Sequence, residues 1–125
     1  MKKSVVLGFL VMLISCTGFY NEHITLIDAQ EFNEMTALIE NPQIIDVRTP
    51  KEFDNGAIPK AVNIDLNDDD FEKKITVFDK EKPVFVYCRS GIRSQDASKL
   101  IAEKGFQSVY ELSGGYVSWK KLDNE

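Results

Sequence analysis

Cys88 stands where a chain would place a reactive thiol. It follows an apolar, β-branched and aromatic run, Val84-Phe85-Val86-Tyr87, and precedes Arg89-Ser90-Gly91-Ile92-Arg93-Ser94. The run is opened by Pro83 and predicts a buried strand, while a helical pattern begins at Arg93. Strand, tight loop and helix start together aim successive backbone N–H groups and the positive end of a helix dipole at one spot. A thiol there is biased toward thiolate, and Arg89 and Arg93 add full positive charge. A lone cysteine more often behaves as a small buried hydrophobe. An inert core residue, however, needs neither the glycine, nor two flanking arginines, nor a helix start, so Cys88 is read as a nucleophile.

Spacing narrows the chemistry. Cys88 and Arg93 enclose four residues, and this Cys-x-x-x-x-Arg loop followed by Ser94 resembles the active-site loop of the rhodanese (sulfurtransferase) family in single-domain form. Asp46-Val47-Arg48-Thr49-Pro50-Lys51-Glu52-Phe53, with Gly56-Ala57-Ile58-Pro59 and Ala61-Val62-Asn63-Ile64, resembles the front half of such a domain. Gly114-Gly115-Tyr116 with Trp119 is a third matching signature, and the resemblance spans about Ile24 to Leu122. Where many family members read Gly-His-Ile-Pro-Gly-Ala, this chain has Ala57 for the histidine and Lys60 for the second glycine.

The resemblance implies a two-step transfer. Cys88 takes a sulfane sulfur from a donor such as thiosulfate, holds it as a persulfide, and yields it to a thiol or cyanide, in ping-pong fashion. The amides of Arg89, Ser90, Gly91, Ile92 and Arg93 would cradle the sulfur as preorganised donors. Arg89, Arg48 or Arg93 would assist the leaving sulfite, and no metal or organic cofactor is implied. Asp46, Arg48, Glu52 and Ser94 are expected as supporting residues, with Asp46 near the sulfur pocket, Arg48 bracing the loop or receiving an anionic donor, and Glu52 mostly architectural. Two alternatives stand beside this: a persulfide carrier or protein-binding module with little small-molecule turnover, and a cysteine phosphatase or arsenate-reductase-like enzyme. Against the latter, cysteine phosphatases carry a loop one residue longer, which suits a tetrahedral oxyanion.

The elements that must position Cys88 follow from patterning. Ile24 to Ile27 suits a short strand, and Asp28 an N-cap with Glu31 at the capping-box position. Phe32, Met35, Leu38 and Ile39 predict a helix over about Ala29 to Glu40, ended by Asn41-Pro42. Further strands are expected at Gln43 to Val47, Ala61 to Ile64 and Gln107 to Leu112, and helices at Asp69 to Val77 and Arg93 to Lys104, with a short terminal helix after Gly114-Gly115. Strands alternating with helices argue for an α/β, rhodanese-like fold, with a mainly parallel central sheet covered by helices on both faces. Tyr116 and Trp119 are expected in the aromatic core.

The first residues read differently. Met1-Lys2-Lys3 precedes an apolar stretch, Val5 to Ile14, shorter than the roughly 20 residues a membrane-spanning helix needs. It ends in Leu13-Ile14-Ser15-Cys16, which resembles the lipobox of bacterial lipoprotein signals. That implies a removed signal peptide over 1–15, lipidation of Cys16, a tether over 16–23 and a rhodanese-like domain over 24–125. The expected location is the periplasmic side of the bacterial cell envelope, attached to the membrane through the lipid anchor only, as a monomer.

Composition sets the exclusions. The formal net charge is −5, and loss of Lys2 and Lys3 would make the mature domain more acidic still, so nucleic acid is not an expected partner. Asn67-Asp68-Asp69-Asp70 lacks the alternating ligands, central glycine and closing glutamate of a calcium loop, and reads as an acidic helix start. With Cys16 lipidated, Cys88 would be the only free thiol, and ligands for zinc are lacking. His23, the only histidine, falls in the tether segment and is not expected to reach Cys88, which leaves amides, dipole and arginine to stabilise the thiolate. The family resemblance implies a small sulfur donor and a thiol acceptor as partners, with a redox protein as a further acceptor class.

Overall fold

The computed structural model describes residues 21–125, so the expected signal peptide, Cys16 and most of the tether lie outside the described residues. Five strands, β1 (Ile24–Ile27), β2 (Gln43–Asp46), β3 (Val62–Asn63), β4 (Val84–Tyr87) and β5 (Val109–Leu112), form one sheet in the order β1-β5-β4-β2-β3. Every pairing is parallel, as strands alternating with helical crossovers require. The α/β class and its parallel sheet are as the pattern predicts. β4 lies at the centre, buried along its whole length, and therefore reads as an unbroken apolar run.

Five helices cover the sheet: α1 (Ala29–Ala37), α2 (Pro50–Asp54), α3 (Phe71–Lys74), α4 (Arg93–Glu103) and α5 (Gly115–Asp123). Alternation along the strands divides the core. Ile45, Val84, Val86 and Val109 pack with Phe71, Ile75, Ala97 and Ile101 on the α3–α4 face. Ile44, Phe85, Tyr87 and Leu112 pack with Phe32, Ile58 and Trp119 on the α1–α5 face. Tyr116 stacks on Tyr87 and Trp119, which fulfils the aromatic-core expectation.

Several elements are shorter than their patterns. α1 is capped by Asp28, whose carboxylate accepts from Glu31 N at 2.8 Å, but it stops at Ala37. Leu38 is 88% exposed, so a further turn would gain no burial. Asp69 to Val77 resolves into α3 and a tighter turn over Ile75–Val77. The turn where Ala57 replaces histidine is held from below: Ile58 N donates to Tyr87 Oη at 3.1 Å. Lys60, in the place of the family's glycine, sits at φ 69°, a left-handed conformation that glycine adopts without a Cβ penalty.

Candidate active site

β4 delivers Cys88 past its carboxyl end, at the side of an open α/β sheet where sites form. The next residues turn back over the sulfur: Gly91 N donates to Cys88 Sγ at 3.0 Å, and Gly91 sits at φ 97°. Ser94, in the first turn of α4, places Oγ 3.5 Å from Sγ. Burial pushes the thiol up, but the Ser94 side chain and the amides of Ser94, Gly91 and Ser90 outweigh it, leaving Cys88 below the ordinary thiol range. Cys88 is 1% exposed, so the thiolate is held by the protein's own donors rather than by bulk water.

A second element fixes the loop from behind. The first-turn amides of α5 have no side-chain cap; instead Tyr116 N donates to Cys88 O at 2.8 Å and Val117 N to Arg89 O at 3.0 Å. A peptide plane is rigid, so holding the Arg89 carbonyl toward α5 turns the Ser90 N–H the other way, toward the sulfur. Gly115 makes this approach possible. A Cβ there would lie 2.5 Å from Cys88 O and 2.7 Å from Arg89 C. The glycine pair is thus part of the site's frame as well as a turn.

Arg93 braces the front. Its guanidinium makes two bonds to Glu52, Nη1 to Oε1 at 2.8 Å and Nη2 to Oε2 at 2.9 Å. Glu52 is presented by α2 through a capping box with Thr49, and Arg93 lowers its carboxyl to a pKa of about 2. Glu52 and Arg93 therefore meet, and the loop arginine is engaged with a carboxylate. Ile92, 74% exposed, and Arg89 form the open rim.

Asp46 and Arg48 are not brought to the sulfur. Register pairs Asp46 with Tyr87, so its side chain leaves the sheet on the α1–α5 face, opposite Cys88. There Arg48 donates Nε and Nη2 to the Asp46 carboxylate at 3.0 and 2.7 Å, and Nη2 to Gly56 O at 2.7 Å. Its guanidinium lies 4.4 Å from the Tyr116 ring centroid, and the residue is 3% exposed. This pair braces the turn and the aromatic layer. Arg48 also forms the floor of a groove of about 560 Å³, whose wall carries Arg89, Tyr116, Lys120 and Lys121.

His23 is docked rather than solvated. Its Nδ1 lies 3.0 Å from Gln107 O, and its carbonyl accepts from Val109 N. It therefore sits at the amino end of the sheet, two strands across from β4 and five strand positions, or roughly 16 Å along the strand direction, from Cys88 at about 3.3 Å per residue. Imidazole and thiol stand at opposite ends.

Pattern reading passed over Glu111. It lies in β5 on the α4 face, 6% exposed, and accepts from Ser94 Oγ at 3.2 Å. The available signal was a carboxylate inside a strand otherwise buried on both faces.

The rhodanese-like domain family profile matches residues 25–122. The chain belongs to the rhodanese-like domain family. This rhodanese domain is 37% identical over 93 residues to the thiosulfate sulfurtransferase GlpE of Shewanella oneidensis, covering 73% of this chain and 90% of that one. It is 30% identical over 95 residues to a sulfurtransferase of Allochromatium vinosum, covering 76% and 87%. It also matches part of a tRNA uridine(34) hydroxylase of Pelagibacter ubique, at 33% identity over 81% of this chain but only 33% of that protein. Among solved structures, the rhodanese-like domain protein of Staphylococcus aureus superposes with a TM-score of 0.68 at 26% identity, over 76% of this chain and 90% of that one. Among the described residues of the rhodanese domain, no helix is long and apolar enough to cross a membrane and no cluster of three or more metal-ligating side chains occurs.

Proposed function

We propose that this rhodanese domain is a sulfurtransferase that carries sulfane sulfur on Cys88. The observation that carries the reading is the cup around Sγ: a 3.0 Å amide bond from Gly91, the Ser94 hydroxyl, and a loop held open-side-out by α5. Such a cup stabilises a thiolate before the reaction and the terminal sulfur of a persulfide after it. The names of the Shewanella and Allochromatium relatives support the same class, with thiosulfate as the donor of the former. Arg89, Lys120 and Lys121 give an acidic chain a local cationic groove beside the loop, suited to an anionic donor and its sulfite product.

Cys88 thiolate attacks the outer sulfur of thiosulfate, and the sulfonate leaves as sulfite. A thiol or cyanide then removes the sulfur and regenerates Cys88. Intact mass after thiosulfate tests this. The expected result is a gain of one sulfur that is stripped by cyanide and absent in Cys88→Ser. No gain, in folded protein whose thiol still alkylates, would sink thiosulfate transfer and leave carriage of sulfur from another protein. Envelope attachment through Cys16 belongs to the same proposal and rests on the Leu13-Ile14-Ser15-Cys16 sequence. The same mass measurement, on the full chain expressed in a bacterium, would read a diacylglycerol adduct; an unmodified Met1 terminus would exclude it.

A further inference from the structure

Glu111 is a carboxyl group that the sulfur cup does not itself require, buried against the apolar core of the α3–α4 face. Its register partner in β4 is Val86, and its neighbours on the same face are Val109, Ala97 and Ile101. A buried carboxylate without a cation is costly unless it has a partner and a use. Its partner is Ser94 Oγ at 3.2 Å, and the same Oγ lies 3.5 Å from Cys88 Sγ. The three side chains form one line: thiol to hydroxyl to carboxylate, each group donating to the next.

We propose that Glu111 is the proton acceptor for Cys88, acting through the Ser94 hydroxyl. The inference deepens the sulfurtransferase reading, on which its transfer step rests. Cys88 and Glu111 share one proton: with it on sulfur, Ser94 Oγ donates to an ionised Glu111, and with it on Glu111, Ser94 Oγ donates to the Cys88 thiolate that the cup holds. Before Sγ attacks as the thiolate, its proton passes to Ser94 Oγ and the Ser94 proton passes to Glu111. The Sγ bond to the outer sulfur of thiosulfate forms, the bond from that sulfur to the sulfonate breaks, and its electron pair leaves with sulfite. The products are an anionic persulfide and a neutral Glu111 carboxyl. The buried site thus holds one negative charge throughout, first on carboxylate and then on sulfur, and two buried anions never coexist.

The surroundings fit this exchange. Burial raises Glu111 above the ordinary carboxylate range, against smaller lowering contributions from Ser94, Ser98 and Lys99. Ser98 Oγ, fully buried one turn along α4 from Ser94, makes no hydrogen bond of normal geometry yet lies near enough to the carboxyl to lower it. The charged and titratable groups facing the pair are Lys99 and Arg93 from α4 and Cys88 from the loop; the adjoining β1 and β4 residues, Leu26 and Val86, are apolar. Arg93 is engaged by Glu52.

The test separates this inference from the transfer reading by using alkylation, which needs no sulfur donor. Iodoacetamide rates for the full chain are measured across pH for wild type, Glu111→Gln, Glu111→Asp and Ser94→Ala. Wild type is expected to show two rising limbs, the lower from the internal thiolate–carboxyl pair. Glu111→Gln, which keeps size and hydrogen bonding, should lose the lower limb and react at least about tenfold more slowly near pH 6. Ser94→Ala should do the same, and Glu111→Asp should restore part of the limb. A difference infrared spectrum between thiol and thiosulfate-loaded enzyme should gain a protonated-carboxyl band that Glu111→Gln lacks. A Gln variant that is less stable but has an unchanged pH profile would overturn the proposal and leave Glu111 a packing residue. Failure of wild type to load sulfur, with the two-limbed profile intact, would overturn the transfer reading and spare the relay.

Discussion

On one face of the sheet, Asp46 and Arg48 form a buried ion pair: two bonds from Nε, two from Nη2 and an aromatic ring on the guanidinium face. On the other face, Cys88, Ser94 and Glu111 form a line of similar burial with no cation bonded to the carboxylate. The first cluster sets one guanidinium directly against one carboxylate. In the proposed relay the second holds two protons over three positions, sulfur, hydroxyl and carboxylate, so a proton can move. Burial alone therefore does not mark function. An uncompensated charge with a hydroxyl relay to a nucleophile does.

The comparison breaks most visibly at Arg48. Arg48→Met leaves Asp46 buried without its counter-ion and should cost about 3–5 kcal/mol, a large share of a domain's total stability. Urea unfolding measures the loss, and adding Asp46→Asn should recover part of it. Iodoacetamide reactivity of the folded fraction should stay close to wild type, because this cluster does not touch the sulfur. A parallel loss of thiol reactivity would merge the two clusters into one site.

Gly115→Ala probes the frame that orients the cup. The new Cβ meets Cys88 and Arg89 backbone atoms at 2.5–2.7 Å and sits at φ 58°. We expect about 2–4 kcal/mol of destabilisation. Sulfur loading should fall by about 100-fold, since a small misplacement of the donor amides suffices. Retained loading with only lost stability would mean that the loop keeps its shape without α5.

The smallest effect is expected at Glu52, whose bond to Arg93 is partly open to water. Its carboxyl titrates at about 2 when folded against an ordinary 4.5, so its contribution is full above about pH 4.5 and is lost as pH falls toward 2. Glu52→Gln should be less stable than wild type by about 1–2 kcal/mol at pH 7, with the difference shrinking toward zero near pH 2. A pH-independent difference would assign the loss to packing instead.

The sheet and the Cys88 loop are legible in the chain because their signals are local. Val84 to Tyr87 is apolar at every position, and Cys88, Gly91, Arg93 and Ser94 fall within seven consecutive residues, so strand, loop and helix start are legible together. The Thr49–Glu52 capping box and the Asp28 cap are equally short-range. Pairings across distance come from the fold alone. Arg93 finds Glu52 41 residues away and Ser94 finds Glu111 17 residues away, and no periodicity encodes either choice. The alternation that sends Asp46 away from the sulfur and Glu111 toward it depends on register with β4, which is fixed by packing and not by the strands' own residues. Whether a buried charge is locked in a pair or left with a mobile proton is decided by what the fold sets beside it.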